Sequence, residues 1–320
     1  MTYPAIKKSP KVTLLLLLLF IIAFAIISKF AVTSADFPLL EDDSPDHSLR
    51  PFNTANPSAT ISPDKLYSPY AILICLSDHT ILLQKNSEAR IYPASLTKMM
   101  TALVAIEQLP DLQEEITIPD YVFQKLNKTD ATMAGFQPNE KVRAIDLLYG
   151  VLLPSGAECC IALANHIGGS EPGFVALMNE KSAKLGMNRT HFDNTTGLHD
   201  QNNYTTVKDL GILLSYTLQN DTFRKIFCSP RYTTHSTNIH PEGITFRSTL
   251  FEKINGCSLS SGELLGGKTG YTGEAGLCLA SLAKKDGKEY ILVTAGAKGS
   301  HQTEQYNISD AFAVYNSLSE

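Results

Sequence analysis

Several features that would direct this 320-residue chain towards other functions are missing from its sequence. Its 27 lysines and arginines are outnumbered by 32 acidic residues, and a net charge of −5 without a basic patch argues against a nucleic-acid partner. The eight histidines include no pair spaced four apart on a helix, and the adjacent Cys159 and Cys160 lack the spacing of zinc ligands. We therefore predict no metal and no other cofactor, and no internal repeat is visible.

Cysteine is scarce, with six residues in the whole chain. An exported protein can form disulfides, but neither the number nor the spacing of these cysteines identifies a pairing. We expect Cys159 and Cys160 to pack in or beside a helix.

A long hydrophobic run is confined to the N-terminus. Three lysines within residues 7–11 precede residues 12–27, in which only Thr13 is polar. Positive residues before such a run keep that end in the cytoplasm and direct the rest outward. Sixteen residues span about 24 Å, which is short for the roughly 30 Å core of a bilayer and long for the core of a signal peptide. Residues 1–32 are thus predicted to be a signal peptide or a membrane anchor, and an uncleaved anchor is favoured.

The composition changes after this run. Residues 33–68 contain five prolines and several acidic residues and serines without periodicity, which is typical of a flexible linker. The remaining stretch, residues 69–320, is long enough for one domain with a substantial core. We therefore predict a single extracytoplasmic domain held away from a membrane by a tether.

The order of predicted elements within residues 69–320 indicates the fold class. A hairpin comes first, with strands at Ala71–Leu76 and Thr80–Gln84, and a helical middle follows. Strands at Leu277–Ala283 and Tyr290–Ala295 then precede a final helix near Gln302–Tyr315. This segregation predicts an α/β (α+β) architecture, in which an antiparallel sheet joins the first and last strands and helices flank it.

A Ser-x-x-Lys motif occurs three times, and its context separates the copies. One copy of so short a motif is expected by chance in a chain of this length. The copy at Ser62 lies in the predicted linker. The copy at Ser281 lies in a predicted strand, where residues three apart point to opposite faces, so Lys284 cannot reach the serine. Only the pair Ser95 and Lys98 is placed for joint chemistry.

Ser95 lies at the predicted start of an amphipathic helix. Residues three apart share one face of a helix, so Ser95 and Lys98 are expected to be neighbours. A serine hydroxyl is a poor nucleophile, and an amine with a lowered pKa can act as its base. Taken alone, the motif is more typical of a capping serine followed by a solvated lysine. The helix is predicted from apolar residues at the 3.6-residue period: Leu96, Met99, Met100, Leu103 and Val104.

Two further motifs reverse that preference. Residues 155–157 read Ser-Gly-Ala, and residues 268–270 read Lys-Thr-Gly in a glycine-rich stretch that alone fits a hairpin turn equally well. In this order the three motifs resemble the Ser-x-x-Lys, Ser-x-Asn and Lys-Thr-Gly elements of the penicillin-recognising serine hydrolases. The similarity extends from about residue 67 to about residue 314. The chain thus resembles the serine D-alanyl-D-alanine carboxypeptidases, which are low-molecular-mass penicillin-binding proteins.

The resemblance implies roles for the catalytic residues. Ser95 would attack the carbonyl between two terminal D-alanines of a peptidoglycan stem peptide, and Lys98 and Ser155 would relay the proton to the leaving amine. The backbone N–H groups of Ser95 and Tyr271 would form the oxyanion hole. β-Lactams would acylate the same serine.

The Lys-Thr-Gly element is implied to be a strand that lines the site. Lys268 and Thr269 would bind the terminal carboxylate of the substrate, and Gly270 would let the substrate backbone approach closely. His199 and Asp200 superficially suggest a Ser/His/Asp triad, but we interpret them as a structural loop because the family does not use a triad.

Two positions depart from the family pattern. Ala157 stands where the family has an Asn that can hydrogen-bond both the lysine and the substrate, and loss of one such donor costs about 3 kcal/mol, or about a hundredfold in rate. Glu158 can either turn into the site or act as a carboxylate at the helix start. Where relatives often carry an arginine after the last core strand, Lys298 and His301 supply charge without a bidentate fork.

The sequence therefore predicts a serine D-alanyl-D-alanine carboxypeptidase of the bacterial cell envelope, anchored in the membrane or secreted. An alternative is a penicillin-binding or cell-wall-binding protein with little or no catalytic activity, because of Ala157. A β-lactamase is disfavoured because no Glu-x-x-x-Asn element follows Ser155. A purely structural, membrane-tethered module would not bind penicillin.

Overall fold

The computed structural model describes residues 52–54, 61–254 and 257–318. The predicted signal peptide or anchor, residues 1–32, lies outside the described residues, as does most of the predicted linker. Within the described part, no helix combines the length and the apolar character needed to cross a bilayer.

An antiparallel sheet forms the centre of the domain, apart from one short parallel pair at its edge. Its strands follow the order β1, β3, β2, β10, β9, β8. Two small two-stranded sheets, β4 with β5 and β6 with β7, lie outside it. The strands are β1 Asn53–Thr54, β2 Tyr70–Cys75, β3 Thr80–Lys85, β4 Glu115–Thr117, β5 Lys141–Arg143, β6 Arg231–Thr233, β7 Thr245–Arg247, β8 Glu263–Thr272, β9 Gly276–Lys285 and β10 Lys288–Ala297.

Helices fill the middle of the chain and close its end. The long excursion between β3 and β8 contains all but the last of the described α-helices, which is the predicted helical middle. The helices are α1 Thr97–Gln108, α2 Asp120–Leu126, α3 Ala144–Leu152, α4 Ala157–Gly168, α5 Glu171–Lys184, α6 Val207–Thr217, α7 Asp221–Phe227 and α8 Tyr306–Asn316.

The first hairpin and the last strand meet in the sheet, as predicted. β2 pairs antiparallel with β10, with Cys75 opposite Tyr290 and Tyr70 opposite Ala295. The strand β9 is buried along almost its whole length because helices cover both faces of the sheet. The predicted α+β fold with an antiparallel sheet flanked by helices is confirmed.

Two apolar cores lie on the two sides of this sheet. The larger core is centred on α1, whose first nine residues are all buried, and the smaller one lies under α8. Cys159 and Cys160 are buried in α4, and all six cysteines are free thiols. The fully buried start of α1 matters for function, because it takes Lys98 into the interior.

The final helix is shorter than predicted. It begins at Tyr306 rather than near Gln302, because the preceding residues form a turn in which the Thr303 hydroxyl accepts from the Ser300 amide and the Gln305 side chain donates to the Ser300 carbonyl. Side-chain hydrogen bonds of this kind compete with a helical backbone, and apolar periodicity does not report them.

The other two Ser-x-x-Lys copies lie in the elements that their context suggests. Ser62 caps a single 3₁₀ turn at Pro63–Lys65. Ser281 is buried within β9, whereas Lys284 on the same strand is exposed. The opposite orientation of Ser281 and Lys284 confirms that this pair cannot act together.

The end of the predicted linker contacts the domain. Leu66 is buried in the smaller core, and the backbone amides of Tyr67 and Ser68 donate to the carboxylate of Asp310 in α8 at 2.9 and 2.8 Å. These contacts fix the chain where it enters β2. The domain boundaries themselves stay a prediction.

Candidate active site

The three motifs converge on one cleft with an empty volume of about 570 Å³. Its walls are the turn before α1, the start of α4, the loop between α5 and α6 that contains residues 196–198, and the outer strand β8. Ser95, Lys98, Ser155, Thr269, Gly270 and Tyr271 all line it. The sequence-predicted site residues are therefore brought together, with the exception of Lys268.

Ser95 and Lys98 are in direct contact. Ser95 lies in the 3₁₀ turn Ala94–Leu96 that leads into α1, and the ammonium nitrogen of Lys98 is 3.2 Å from its hydroxyl. The Lys98 side chain is almost fully buried, and this burial lowers the pKa of its ammonium, although the nearby Glu158 carboxylate opposes the shift. A lysine with a lowered pKa beside a serine hydroxyl is suited to accept the serine proton.

A backbone carbonyl fixes the orientation of Lys98. Its Nζ also donates to the carbonyl of Thr196 at 2.5 Å, and the hydroxyl of Thr101, one turn further along α1, donates to the carbonyl of Thr195 at 2.7 Å. The side chain of Asn194 accepts from the amide of Gly197 at 2.7 Å, which closes the loop on itself. The sequence analysis did not identify Thr196. The signal that could have drawn attention to it is the turn-forming run Asn-Thr-Thr-Gly at residues 194–197, which contains this residue.

Ser155 lies just before the N-terminal end of α4 and has an unusual backbone conformation. Its φ is +71°, a value that few residues other than glycine adopt, and the residue as a whole is 5% exposed. Its hydroxyl has no hydrogen-bond partner among the described residues, although it is buried. A buried hydroxyl of this kind, in the cleft that Ser95 and Lys98 also line, is available to a substrate or to a proton in transit.

Ala157 and Glu158 begin α4 but face different surroundings. Ala157 lines the cleft, so only a methyl group is present where the family pattern has an amide. The Glu158 carboxylate is fully buried and accepts from the amides of Ala134 and Gly135 at 2.7 and 2.9 Å. Burial raises the pKa of Glu158, and these amides oppose the rise. Glu158 therefore holds a neighbouring loop and does not occupy the space left by the missing amide.

Lys268 lies behind the wall of the cleft. Its side chain is fully buried and its ammonium donates to the carbonyl of Thr269 at 2.8 Å. Burial lowers the pKa of Lys268 well below its usual value, and the positive charge of Lys98 adds to this effect. The ammonium group of Lys268 is therefore directed at a backbone carbonyl and not at the cleft.

The open edge of β8 lies directly against the turn that carries Ser95. A Cβ atom at Gly270 would lie 3.0 Å from the Ser95 amide nitrogen, so glycine permits this close approach. Thr269 exchanges a 2.6 Å hydrogen bond with Thr249, and the ring of Tyr271 packs edge-on against His301. The Lys-Thr-Gly motif is therefore a strand beside the serine and is not a hairpin turn.

Several lining residues carry no motif and were missed. Thr249 and Lys253 border the cleft from the segment before β8, and residues 130–132 border it from the segment between α2 and β5. The sequence offers no local signal for them, because they reach the cleft only through tertiary packing. His301 lines the cleft, whereas Lys298 is exposed outside it.

His199 and Asp200 do not approach Ser95. The His199 ring packs edge-on against Tyr92 and lies 3.8 Å from the Glu274 carboxylate, and Asp200 accepts from the Asn202 amide at 2.7 Å. Their contacts are those of a loop, and neither residue lines the cleft.

A buried lysine beside a serine, a second buried serine and a glycine-containing edge strand define a serine hydrolase of the acyl-transfer type. The family model described as D-alanyl-D-alanine carboxypeptidase matches residues 57–299. The chain belongs to this family.

Curated relatives and solved structures agree with that assignment. The chain is 32% identical over 231 residues to D-alanyl-D-alanine carboxypeptidase DacF of Bacillus subtilis, covering 71% of this chain and 57% of the relative. It is 32% identical over 219 residues to a Streptomyces D-alanyl-D-alanine carboxypeptidase, covering 66% of this chain and 75% of that relative. The crystal structure of the Streptomyces K15 DD-transpeptidase matches with a TM-score of 0.71 at 27% identity, covering 80% of this chain and 98% of the other.

A similar fold recurs in a more distant protein. The D-alanyl-D-alanine carboxypeptidase structure from Mycobacterium tuberculosis matches with a TM-score of 0.70 at 24% identity, covering 82% of this chain and 95% of the other. This likeness concerns the fold alone. The chain spans less than two thirds of the length of several curated relatives, including the one from Bacillus subtilis.

Proposed function

We propose that the chain is a serine D-alanyl-D-alanine carboxypeptidase that removes the terminal D-alanine from peptidoglycan stem peptides. The observation that carries the proposal is the 3.2 Å contact between the Ser95 hydroxyl and the buried Lys98 ammonium, at the base of an open cleft that all three motifs border. Membership of the family supports the same reaction.

The residues act in sequence. Neutral Lys98 accepts the proton as the Ser95 oxygen attacks the carbonyl carbon of the D-alanyl-D-alanine bond, and backbone amides of Ser95 and Tyr271 stabilise the oxyanion. As the C–N bond breaks, the proton passes from Lys98 through Ser155 to the leaving amine. Water then attacks the Ser95 ester and releases the shortened peptide. The positive charge of Lys268 stabilises anionic groups at this end of the cleft.

Substrates and location follow from this chemistry. The cleft is expected to accept β-lactams, whose strained amide acylates Ser95 and mimics the stem peptide. Peptidoglycan lies outside the cytoplasm, so we propose that the domain works in the bacterial cell envelope, either anchored by residues 1–32 or secreted.

Mass spectrometry after penicillin treatment tests the nucleophile. We expect one adduct on the peptide that contains Ser95, and its complete loss in Ser95→Ala. Ser62→Ala, which alters a Ser-x-x-Lys copy away from the cleft, should be acylated like the wild type. An adduct that persists in Ser95→Ala would overturn the assignment, and release of D-alanine from a D-alanyl-D-alanine peptide measures turnover in parallel.

A second function is favoured by two observations. Ala157 presents a methyl group to the cleft, and the Ser155 hydroxyl has no partner among the described residues. A site of this kind would bind and slowly acylate without efficient release, which describes a penicillin-binding protein with little turnover. Stoichiometric acylation without release of D-alanine would support this second function.

A further inference from the structure

One end of the cleft is bordered by hydroxyl and basic side chains. Thr249 and Thr269 lie there in mutual hydrogen-bond contact, and Lys253 and His301 line the same cleft. His301 packs against Tyr271, the residue immediately after the Lys-Thr-Gly motif. Hydroxyls beside an ammonium are a suitable set of donors for a carboxylate.

Among these cleft-lining side chains, Lys253 is a cation that no carboxylate pairs with in the described part of the chain. Its ammonium donates to the neutral side-chain amide of Gln305 at 3.1 Å, and no carboxylate lies within salt-bridge distance of it in the part of the chain that the structure describes. The side chain is half-buried, and its desolvation lowers the pKa of Lys253. An anion that entered the cleft would offset this loss of hydration.

The other basic side chains are less suited to the task. Lys268 is fully buried, does not line the cleft and already donates to the Thr269 carbonyl. Desolvation lowers the pKa of His301, and the charges of Lys253 and Lys268 lower it further, so His301 is held in its neutral form near pH 7. Lys298 is exposed outside the cleft.

Tertiary packing fixes the segment that carries Lys253. Lys253 is the last residue of a 3₁₀ turn, Phe251–Lys253, and this turn follows the fully buried Leu250. A Cβ atom at Gly267 would lie 2.5 Å from a methyl group of Leu250, so the glycine of β8 makes room for this anchor. The amide of Thr249 donates to the carbonyl of Leu153, which joins the segment to the end of α3. Lys253 is therefore held at the cleft by a packed segment.

We propose that Lys253 is the specificity-determining cation that receives the terminal carboxylate of the substrate, with the hydroxyls of Thr249 and Thr269 completing the carboxylate site. The assignment rests on the proposed carboxypeptidase function and deepens it. In this assignment Lys268 acts only indirectly, through its electrostatic potential from behind β8. The assignment also explains how the cleft recognises a carboxylate without the arginine that relatives often carry.

Paired substrates test this role. We compare kcat/KM for a D-alanyl-D-alanine peptide with a free terminal carboxylate and for the same peptide with a terminal amide. In Lys253→Met the preference for the free acid should fall by about tenfold to a hundredfold, since a charge-assisted hydrogen bond is lost. Lys253→Arg should keep most of the preference. Lys298→Met removes the same charge outside the cleft and should leave the preference unchanged.

Each result separates this inference from the proposed function. Penicillin labelling of the wild type is measured first, and a wild type that is neither acylated nor hydrolytic would refute both the proposed function and this assignment. A wild type that prefers the acid, with an unchanged preference in Lys253→Met, refutes the role of Lys253 alone. Thermal unfolding checks the fold of each variant, and Lys253→Gln serves in the same comparison if the Met variant does not fold.

Discussion

Gly197 packs directly against the carbonyl oxygen of Ala94, the residue before Ser95. A Cβ atom at position 197 would lie 1.9 Å from that oxygen, and Gly197 has a φ of +78°. Ala94 is itself at a φ of +46°, a strained value for a residue with a side chain. The loop between α5 and α6 therefore supports the turn that presents Ser95, in addition to holding Lys98 through the Thr196 carbonyl.

This contact predicts a large effect for Gly197→Ala. Positive φ alone costs an alanine about 1 kcal/mol or more, and the clash requires the loop or the Ser95 turn to move. We expect a lower melting temperature and a loss of penicillin acylation of about a hundredfold, as for a misplaced catalytic group. Gly186→Ala is the matched control, because Gly186 has a φ of +73° with open space around it. Equal acylation in the two variants would show that the contact with Ala94 does not position Ser95.

The pH dependence of acylation reports on Lys98. Lys98 is a base only when neutral, and burial lowers its pKa from 10.5, so the rate should rise with pH through a value below that of an ordinary lysine. The Glu158 carboxylate raises the pKa of Lys98, so Glu158→Gln should move the rising limb to lower pH. Stopped-flow acylation across pH measures the limb. Glu88→Gln, which alters an exposed carboxylate paired with Lys208, should leave the limb in place, and a shift to higher pH in Glu158→Gln would contradict the prediction.

Replacement of Lys268 should lower the rate of acylation and raise the stability of the fold. Lys268→Met removes a buried charge, so we expect a gain of about 0.5–2 kcal/mol in the free energy of unfolding and a fall in acylation of about a hundredfold or more. Because the folded pKa is depressed, the charge destabilises the native state fully at low pH and less as the pH rises towards 10.5. The difference in melting temperature between variant and wild type should therefore shrink as the pH rises. A destabilised variant would show that the bond to the Thr269 carbonyl outweighs the burial of the charge.

Ala157→Asn tests the missing amide. The side chain at this position faces the cleft and Glu158 points elsewhere, so an amide has room to reach the substrate and Lys98. We expect turnover of a D-alanyl-D-alanine peptide to rise by up to about a hundredfold. Ala157→Leu adds similar volume without an amide and should slow acylation by crowding. Unchanged or slower turnover in the Asn variant, with the fold intact, would mean that the native site is complete without the amide.

Local patterns allowed a large part of the fold to be predicted. The hairpin at residues 71–84 and the late strands were found because β-branched and apolar runs bounded by turn residues mark strands. The proximity of Ser95 and Lys98 was predictable because an i, i+3 pair in a helical turn needs no tertiary information. The start of α8 was misplaced by four residues, since the turn at residues 300–305 depends on side-chain hydrogen bonds that periodicity does not reveal.

The sequence by itself determined the chemistry: a serine and a lysine on one helical turn, a second serine, and a glycine-containing strand that a substrate can approach. Only the tertiary structure decided which lysine lines the cleft beside the Lys-Thr-Gly strand. Lys268 belongs to the motif but is buried behind β8, whereas Lys253 has no motif and borders the cleft. The physical reason is that the direction of a side chain in a packed sheet depends on the register of strands that are distant in sequence. It also depends on which residues fill the neighbouring space, and here Leu250 packs against Gly267.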